Sequence, residues 1–408
     1  MDIRITPSFL SGKVEVPASK SCAHRALICA SLAHGTSVIS GVNMSKDIEA
    51  TINAMTALGA HFKVDGSMVT VTGIESCPQK AEIDCCESGS TLRFVIPVAA
   101  ALGVESTFAG KGRLPQRPID IFKRELSKNG VRFISSEMPY VISGKLIGGR
   151  YEIEGDISSQ FVTGLIFALP LLEENSEIVL TSHLESRPYV DITIDILRRY
   201  GISINENKNG FLIKGGQRYT PHDEKIEGDF SQAAFFYVAN ALGADIDLGN
   251  LNENSVQGDR KILEILGHVC HDGHIGSFRA DCSDIPDLVP ILTVLGAFGS
   301  GESVIYNAKR LKIKESNRLE TSAALVNSLG GNAEITDDGL IIHPTGKMHG
   351  GEVNSFGDHR IVMAAAVAAA AVDGDVTIRG AEAAEKSYPD FFKDYIQLGG
   401  KVNVINLE

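Results

Sequence analysis

ASKSCAHRALICASLAHG, residues 18–35, opens on a short polar start, runs through apolar residues and closes on glycine. The same design returns as ESGSTLRFVIPVAAALG (87–103), GDISSQFVTGLIFALPLL (155–172), GDFSQAAFFYVANALG (228–243), DIPDLVPILTVLGAFG (284–299) and GDHRIVMAAAVAAAAVDG (357–374). One polar residue near each start, Ser21, Ser90, Ser159, Ser231, Asp287 and His359, gives spacings of 69, 69, 72, 56 and 72 residues. A regular period of this kind signals repeated supersecondary units. Each copy reads as a helix that is apolar on all sides and therefore buried. Ser or Asp at its start caps free backbone N–H groups, and glycine supplies a left-handed residue at its end.

Between these segments a second pattern recurs: an amphipathic stretch, a glycine, then β-type alternation. The glycines are Gly59, Gly130, Gly201, Gly330 and Gly400, and alternation such as Met68-Val69-Thr70-Val71 follows a turn at Asp65-Gly66. The expected fold class is α/β: six copies of a unit with one buried helix, one amphipathic helix and several strands, three copies to a domain. A chain of 408 residues exceeds one ordinary core, which also favours two domains.

The formal net charge of −13 disfavours nucleic acid and anionic membranes as partners. Any anion site must gather its cations locally. Seven cysteines, with Cys85 and Cys86 adjacent and no CxxC pair, argue for reduced thiols rather than a disulfide framework or a zinc site. The stretch MDIRITPSFL lacks a basic region followed by an apolar one, so no signal peptide is expected. The longest apolar run, Ile361 to Val372, is too short to span a bilayer. A cytoplasmic protein is expected.

Cations stand where helix dipoles disfavour them. Lys20 and Arg25 flank the start of the first buried helix, Arg93 lies in the first turns of the second, and His359-Arg360 opens the sixth. Arg117-Pro118, Ser186-Arg187-Pro188-Tyr189, the run Lys312, Lys314 and Arg318, and Lys386 stand at the starts of amphipathic helices. One such residue is more often solvated or paired with a nearby acid. Recurrence at equivalent points of a repeat points to a cluster that binds small, highly charged anions. No GxxxxGK[ST] and no convincing GxGxxG is present, so a nucleotide is not implied. Asp287 and Glu315 are the acids among these starts, either structural counter-ions or proton-transfer groups.

PASKSCAHRAL, LPQRPI, DISSQFVTGL, SRPYVDIT, DIPD, IKESNRL, GDHR and EKSYPD each resemble motifs of the 5-enolpyruvylshikimate-3-phosphate synthase family, in that family's order and over nearly the whole chain. The resemblance implies a two-domain enolpyruvyl-transferase-like fold, each domain made of three βαβαββ-type repeats. It implies a discontinuous domain of residues 1–18 plus 228–408, a second of 19–227, and an active site in the cleft between them; because the cations come from both halves, closure on anion binding is expected. The implied reaction moves the enolpyruvyl group of phosphoenolpyruvate to the 5-hydroxyl of shikimate 3-phosphate and releases phosphate.

Carried over by motif, Lys20, Ser21, Arg25, Ser158, Ser159, Gln160, Ser186, Tyr189, Asp287 and Lys314 are expected on shikimate 3-phosphate. Lys20, Gly89, Arg117, Gln160, Arg318, Arg360 and Lys386 are expected on phosphoenolpyruvate. Asp287 is implied as proton acceptor, Glu315 as its acid–base partner and Lys20 as a third catalytic group, with His359 in a supporting role. Two phosphates and two carboxylates must meet, which a cluster of cations offsets. No metal or organic cofactor is called for, and a monomer is expected.

The sequence departs from the family at Glu87 and Ser88, where many members have Asn-Ala, at Arg310, where many have Asn, and at Asn317, where Asp is common. Two alternatives stay open. One is the related UDP-N-acetylglucosamine enolpyruvyl transferase, although GKGRLPQRP (110–118) lacks that enzyme's reactive cysteine. The other is a non-catalytic, anion-binding repeat protein.

Overall fold

The computed structural model describes residues 1–271 and 273–405. The chain forms two compact units, Ala18–Glu227 and the paired segments Met1–Pro17 and Gly228–Glu408.

In the unit Ala18–Glu227, helices α1 (Lys20–Leu32), α3 (Gly89–Leu102) and α5 (Ser159–Ala168) are buried almost throughout. They alternate with α2 (Lys46–Ala57), α4 (Asp120–Lys128) and α6 (Arg187–Arg199), which bury one face each. Helices α3 and α5 pack directly on each other, α5 on α6, and α1 on both α2 and α6. Glycine permits the first of these contacts, because a β-carbon on Gly164 would lie 2.2 Å from the Arg93 carbonyl oxygen. Leu92, Phe94, Val95, Leu165, Ile166 and Phe167 are fully or almost fully shielded, each stabilising by about 1.5–3 kcal/mol relative to exposure.

Three four-stranded sheets cover these helices. In the second, Lys80–Asp84 runs parallel to Glu105–Ala109 with α3 as crossover, and Tyr140–Gly144 then Val131–Phe133 add antiparallel. That is a βαβαββ unit. The third repeats it with Arg150–Ile153, Ser176–Leu180, Gly210–Ile213 and Ile204–Asn207. In the first, the parallel partner of Thr36–Ser40 is Glu224–Lys225, from the far end of the unit. The strand that precedes α1, Ser11–Glu15, belongs to the other unit, where it pairs in parallel with Asp245–Gly249. The two connections thus exchange strands.

The unit Met1–Pro17 with Gly228–Glu408 holds α7 (Phe230–Ala241), α8 (Lys261–Val269), α9 (Val289–Ala297), α10 (Arg318–Ser328), α11 (His359–Ala371) and α12 (Phe391–Gln397). Helices α7, α9 and α11 are the buried ones and pack on one another. The short spacing after Ser231 reflects a reduced copy, whose hairpin is only Cys270–His271 against His274–Ile275. The last copy is completed by the start of the chain. Asp2–Thr6 lies antiparallel between Asp373–Arg379 and Lys401–Ile405.

Caps follow the repeat. Side chains of Ser19, Ser88, Ser158, Asp229 and Asp358 accept backbone N–H bonds at the starts of α1, α3, α5, α7 and α11. Gly59, Gly130, Gly201 and Gly330 have positive φ after their amphipathic helices. After α12 the left-handed residue is Gly399, not the aligned Gly400. Gly400 is needed for room, since a β-carbon there would lie 2.2 Å from the Tyr395 ring.

Candidate active site

In the unit Ala18–Glu227 the expected residues gather at the starts of α1, α3, α5 and α6. The Ser19 cap places Lys20 and Ser21 in the first turn of α1. Lys20 Nζ lies 2.8 Å from Oδ2 of Asp47, in the first turn of α2. Arg25 turns inward. Its Nε donates to Thr193 Oγ1 at 2.7 Å, Nη1 to the Ser21 carbonyl at 2.7 Å and Nη2 to the Tyr189 carbonyl at 2.9 Å, while the guanidinium sits over the Phe94 ring. Burial pushes it down to about 10. Three of its five N–H groups therefore fix the starts of α1 and α6, which leaves two for a ligand. Ser186 holds φ +56° just before α6 and is buried, and its carbonyl accepts the Tyr189 N–H at 3.0 Å. A left-handed serine is a strained position, and such positions cluster at binding sites.

Beneath α1 runs a line of buried hydroxyls. His24 Nδ1 meets Thr51 Oγ1 at 2.7 Å, Thr51 meets Thr91 at 2.7 Å, and Thr91 donates to Ser88 Oγ at 2.8 Å. Burial lowers His24 to about 3, so its ring is neutral. The line ties α1, α2 and α3 together at the level of Lys20 and Gly89.

At the start of α3, Gly89 underlies the Arg117 guanidinium. Gln160, in the first turn of α5, donates from Nε2 to Ser90 Oγ at 2.9 Å and accepts from Arg93 Nη1 at 2.7 Å. Ser158 caps α5 through the Gln160 N–H, and Ser159 is buried beside it. Both departures here have structural work: Ser88 caps α3, and Glu87 packs against Gly112, in the loop that leads to Arg117.

In the other unit the acids and cations form one network. Arg318, 1% exposed at the start of α10, donates to three carboxylates: Asp358 at 2.8 Å, Asp287 at 2.8 Å and Glu315 at 2.8 Å. Arg360, in the first turn of α11, reaches the other oxygen of Asp287 at 2.7 Å and Ser231 Oγ at 3.0 Å. Asp358 is fully shielded, caps α11 through the Arg360 N–H at 3.0 Å and accepts from Ser316 at 2.9 Å. It thus holds the Arg318 guanidinium and fixes the helix start that carries Arg360. Neither Asp358 nor Ser231 was expected in the site, although Ser231 marks one helix start of the repeat and GDHR places an acid at another.

Burial alone would raise Asp287, but the Arg360, Lys314 and Arg318 charges hold it well below the usual carboxylate range. Burial pushes Lys314 down to about 8, against the opposing pull of Asp287 and Glu315. Burial likewise disfavours the Arg318 charge, yet Asp358, Glu315 and Asp287 together raise it above the ordinary arginine value. Arg310 donates to the Ser283 carbonyl and so braces the turn that carries Asp287. Asn317 sits at the cap position of α10 without a side-chain cap bond. Lys386 ends a 3-10 turn, Ala381–Lys386, and His359 is buried with Nδ1 3.8 Å from Asp358. Among the described residues no helix is long and apolar enough to cross a membrane.

Guanidinium and ammonium groups at helix starts, with two carboxylates set among them, can bind anions and move protons. Residues 5–395 match the family model described as EPSP synthase (3-phosphoshikimate 1-carboxyvinyltransferase). The chain is 41% identical to a 3-phosphoshikimate 1-carboxyvinyltransferase of Clostridium novyi (strain NT), over 98% of each protein. Its fold is similar to EPSP synthase from Acinetobacter baumannii, with a TM-score of 0.84 at 24% identity over 99% of this chain and 100% of that one. It is similar also to the enolpyruvyl transferase NikO from Streptomyces tendae, with a TM-score of 0.79 at 16% identity over 98% of each chain.

Proposed function

The chain belongs to the EPSP synthase (3-phosphoshikimate 1-carboxyvinyltransferase) family, and from that premise we propose which of its residues carry the reaction. The enzyme transfers the enolpyruvyl group of phosphoenolpyruvate to the 5-hydroxyl of shikimate 3-phosphate, a step of aromatic amino acid biosynthesis. A UDP-sugar acceptor and a non-catalytic scaffold are not favoured.

Shikimate 3-phosphate is assigned to Lys20, Ser21, Arg25, Ser158, Ser159, Gln160, Ser186, Tyr189, Asp287 and Lys314. Phosphoenolpyruvate is assigned to Lys20, Gly89, Arg117, Gln160, Arg318, Arg360 and Lys386. Both sets act on one pair of substrates. In the addition step the 5-oxygen bonds to C2 of the enol, its proton passes to Asp287, and C3 gains a proton from Glu315. In the elimination step the bond from C2 to the phosphate oxygen breaks and C3 returns a proton, with the two carboxyl groups in exchanged roles.

The observation that carries this assignment is the double hold on Asp287. The two guanidiniums that keep it a weak base, Arg318 and Arg360, are the ones assigned to phosphoenolpyruvate. An arriving carboxylate or phosphate that draws them away raises the proton affinity of Asp287 as the substrate binds. The base is then formed only in the loaded site.

The enzyme is taken to act as a cytoplasmic monomer, which sedimentation of the native protein checks. Titration calorimetry with shikimate 3-phosphate, followed by phosphoenolpyruvate turnover with it and with a UDP-sugar, tests the assignment. Turnover with the UDP-sugar alone would overturn it.

A further inference from the structure

Arg93 stands outside both sets of assigned ligands, yet it is as buried as Arg25, 2% exposed in the second turn of α3. Its guanidinium lies over the Phe161 ring at 5.1 Å. Nη1 donates to Gln160 Oε1 at 2.7 Å, and Nη2 donates to the Pro118 carbonyl at 2.9 Å. One fork thus holds the amide of Gln160 and the residue next to Arg117.

An arginine donates and never accepts. With Arg93 on it, the Gln160 oxygen is committed as an acceptor, and the amide nitrogen must face the other way. There it donates to Ser90 Oγ at 2.9 Å. A hydroxyl that accepts from Gln160 keeps its own proton for another acceptor. Ser90 and Gln160 are both only partly buried, in the first turns of α3 and α5. Both substrates are anions that accept hydrogen bonds through carboxylate and phosphate oxygens. A flipped amide would turn an oxygen toward them and repel them.

We propose that Arg93 is a positioning residue that polarises the chain Arg93 to Gln160 to Ser90, so that the starts of α3 and α5 present only donors, and that the Ser90 hydroxyl is a further donor to phosphoenolpyruvate. This rests on the assignment of Gln160 and Arg117 to phosphoenolpyruvate given above. The charge of Arg93 matters less than its inability to accept.

Arg93→Lys keeps a donor-only group, while Arg93→Gln is shorter and uncharged and carries an amide that accepts as well as donates. The KM for phosphoenolpyruvate is expected to rise about tenfold in Arg93→Gln, or about 1.4 kcal/mol, and about threefold or less in Arg93→Lys. A role confined to filling the core predicts the reverse order, because lysine buries an unmatched charge. Arg93→Gln at or below Arg93→Lys overturns the proposal. In a Gln160→Ala background, Arg93→Gln is expected to add less than about threefold; an undiminished effect there overturns it while leaving the ligand assignment intact. A Gln160→Ala enzyme with unchanged KM overturns the assignment itself, and the proposal with it. Melting temperatures show which variants fold. Should the Arg93 variants not fold, Ser90→Ala decides: a rise of about fivefold in KM for phosphoenolpyruvate with unaltered melting supports the proposal, and no rise overturns it.

Discussion

Arg117 lies across Gly89 so closely that a β-carbon on the glycine would sit 2.5 Å from a guanidinium nitrogen. Gly89→Ala must therefore displace Arg117, although the backbone of α3 tolerates alanine. We expect the KM for phosphoenolpyruvate to rise about tenfold or more, with shikimate 3-phosphate binding and the melting temperature little altered. Steady-state kinetics with each substrate varied in turn, alongside calorimetry, check this. An unchanged KM would show that Arg117 takes no part in holding the enol donor.

Asp287→Asn removes the proposed proton acceptor and keeps its shape. We expect kcat to fall at least 100-fold, in the range typical of a lost general base. The native group has a second signature. Its pKa in the folded enzyme lies below the ordinary 3.8, so its contribution to stability is present above about that pH and is lost as pH falls further. Acid unfolding of Asp287→Asn should accordingly show a shallower dependence on pH below 4 than the native enzyme.

Lys314 gives a pH dependence on the alkaline side. Burial, Arg310 and Arg318 push it down to about 8 while Asp287 and Glu315 pull it up. As pH rises through about 8 the empty enzyme loses this charge, so affinity for shikimate 3-phosphate is expected to weaken by up to about tenfold per pH unit above it. Lys314→Arg, which stays protonated, should flatten the profile. The sign for folding is opposite. The charged lysine is unfavourable in the folded state, and stability from this group grows between pH 8 and the ordinary 10.5. Isothermal titration across pH 7–10 is the measurement, and a flat native profile would remove Lys314 from the ligand set.

Thr51→Val breaks the hydroxyl line under α1. His24 Nδ1 and Thr91 Oγ1 each lose a partner at 2.7 Å. Leaving buried polar groups without partners costs about 1–3 kcal/mol. Urea midpoints should report a loss of this size, and Thr51→Ser should recover most of it.

The helical frame was legible because its signals are local. Polar helix starts, all-round apolar runs and glycines such as Gly103 stand within a few residues of what they determine. The misplaced cations were legible for the same reason. What stayed hidden depends on partners far along the chain. Nothing in Ser11–Glu15 announces that it pairs with Asp245–Gly249, while Glu224–Lys225 takes the place beside Thr36–Ser40. A cation at a helix start does not reveal its direction. Arg25 spends three donors on its own unit, and Arg318 is shared among three acids. Asp358 could be read only as a cap, because its second duty needs a guanidinium 40 residues away.

The strand Asp2–Thr6, which closes the last sheet, also sets a problem of timing. It is synthesised long before its neighbour Lys401–Ile405. At about 5–20 residues per second the interval is roughly 20–80 s. Through that time Ile3 and Ile5, which end up fully or almost fully covered, have no sheet to enter. A waiting strand with open edges is a template for pairing with other chains. Asp2 and Arg4, on the alternate face, keep it charged meanwhile, and slowing synthesis anywhere between Thr6 and Asp373 should lengthen the wait and lower the yield of active enzyme.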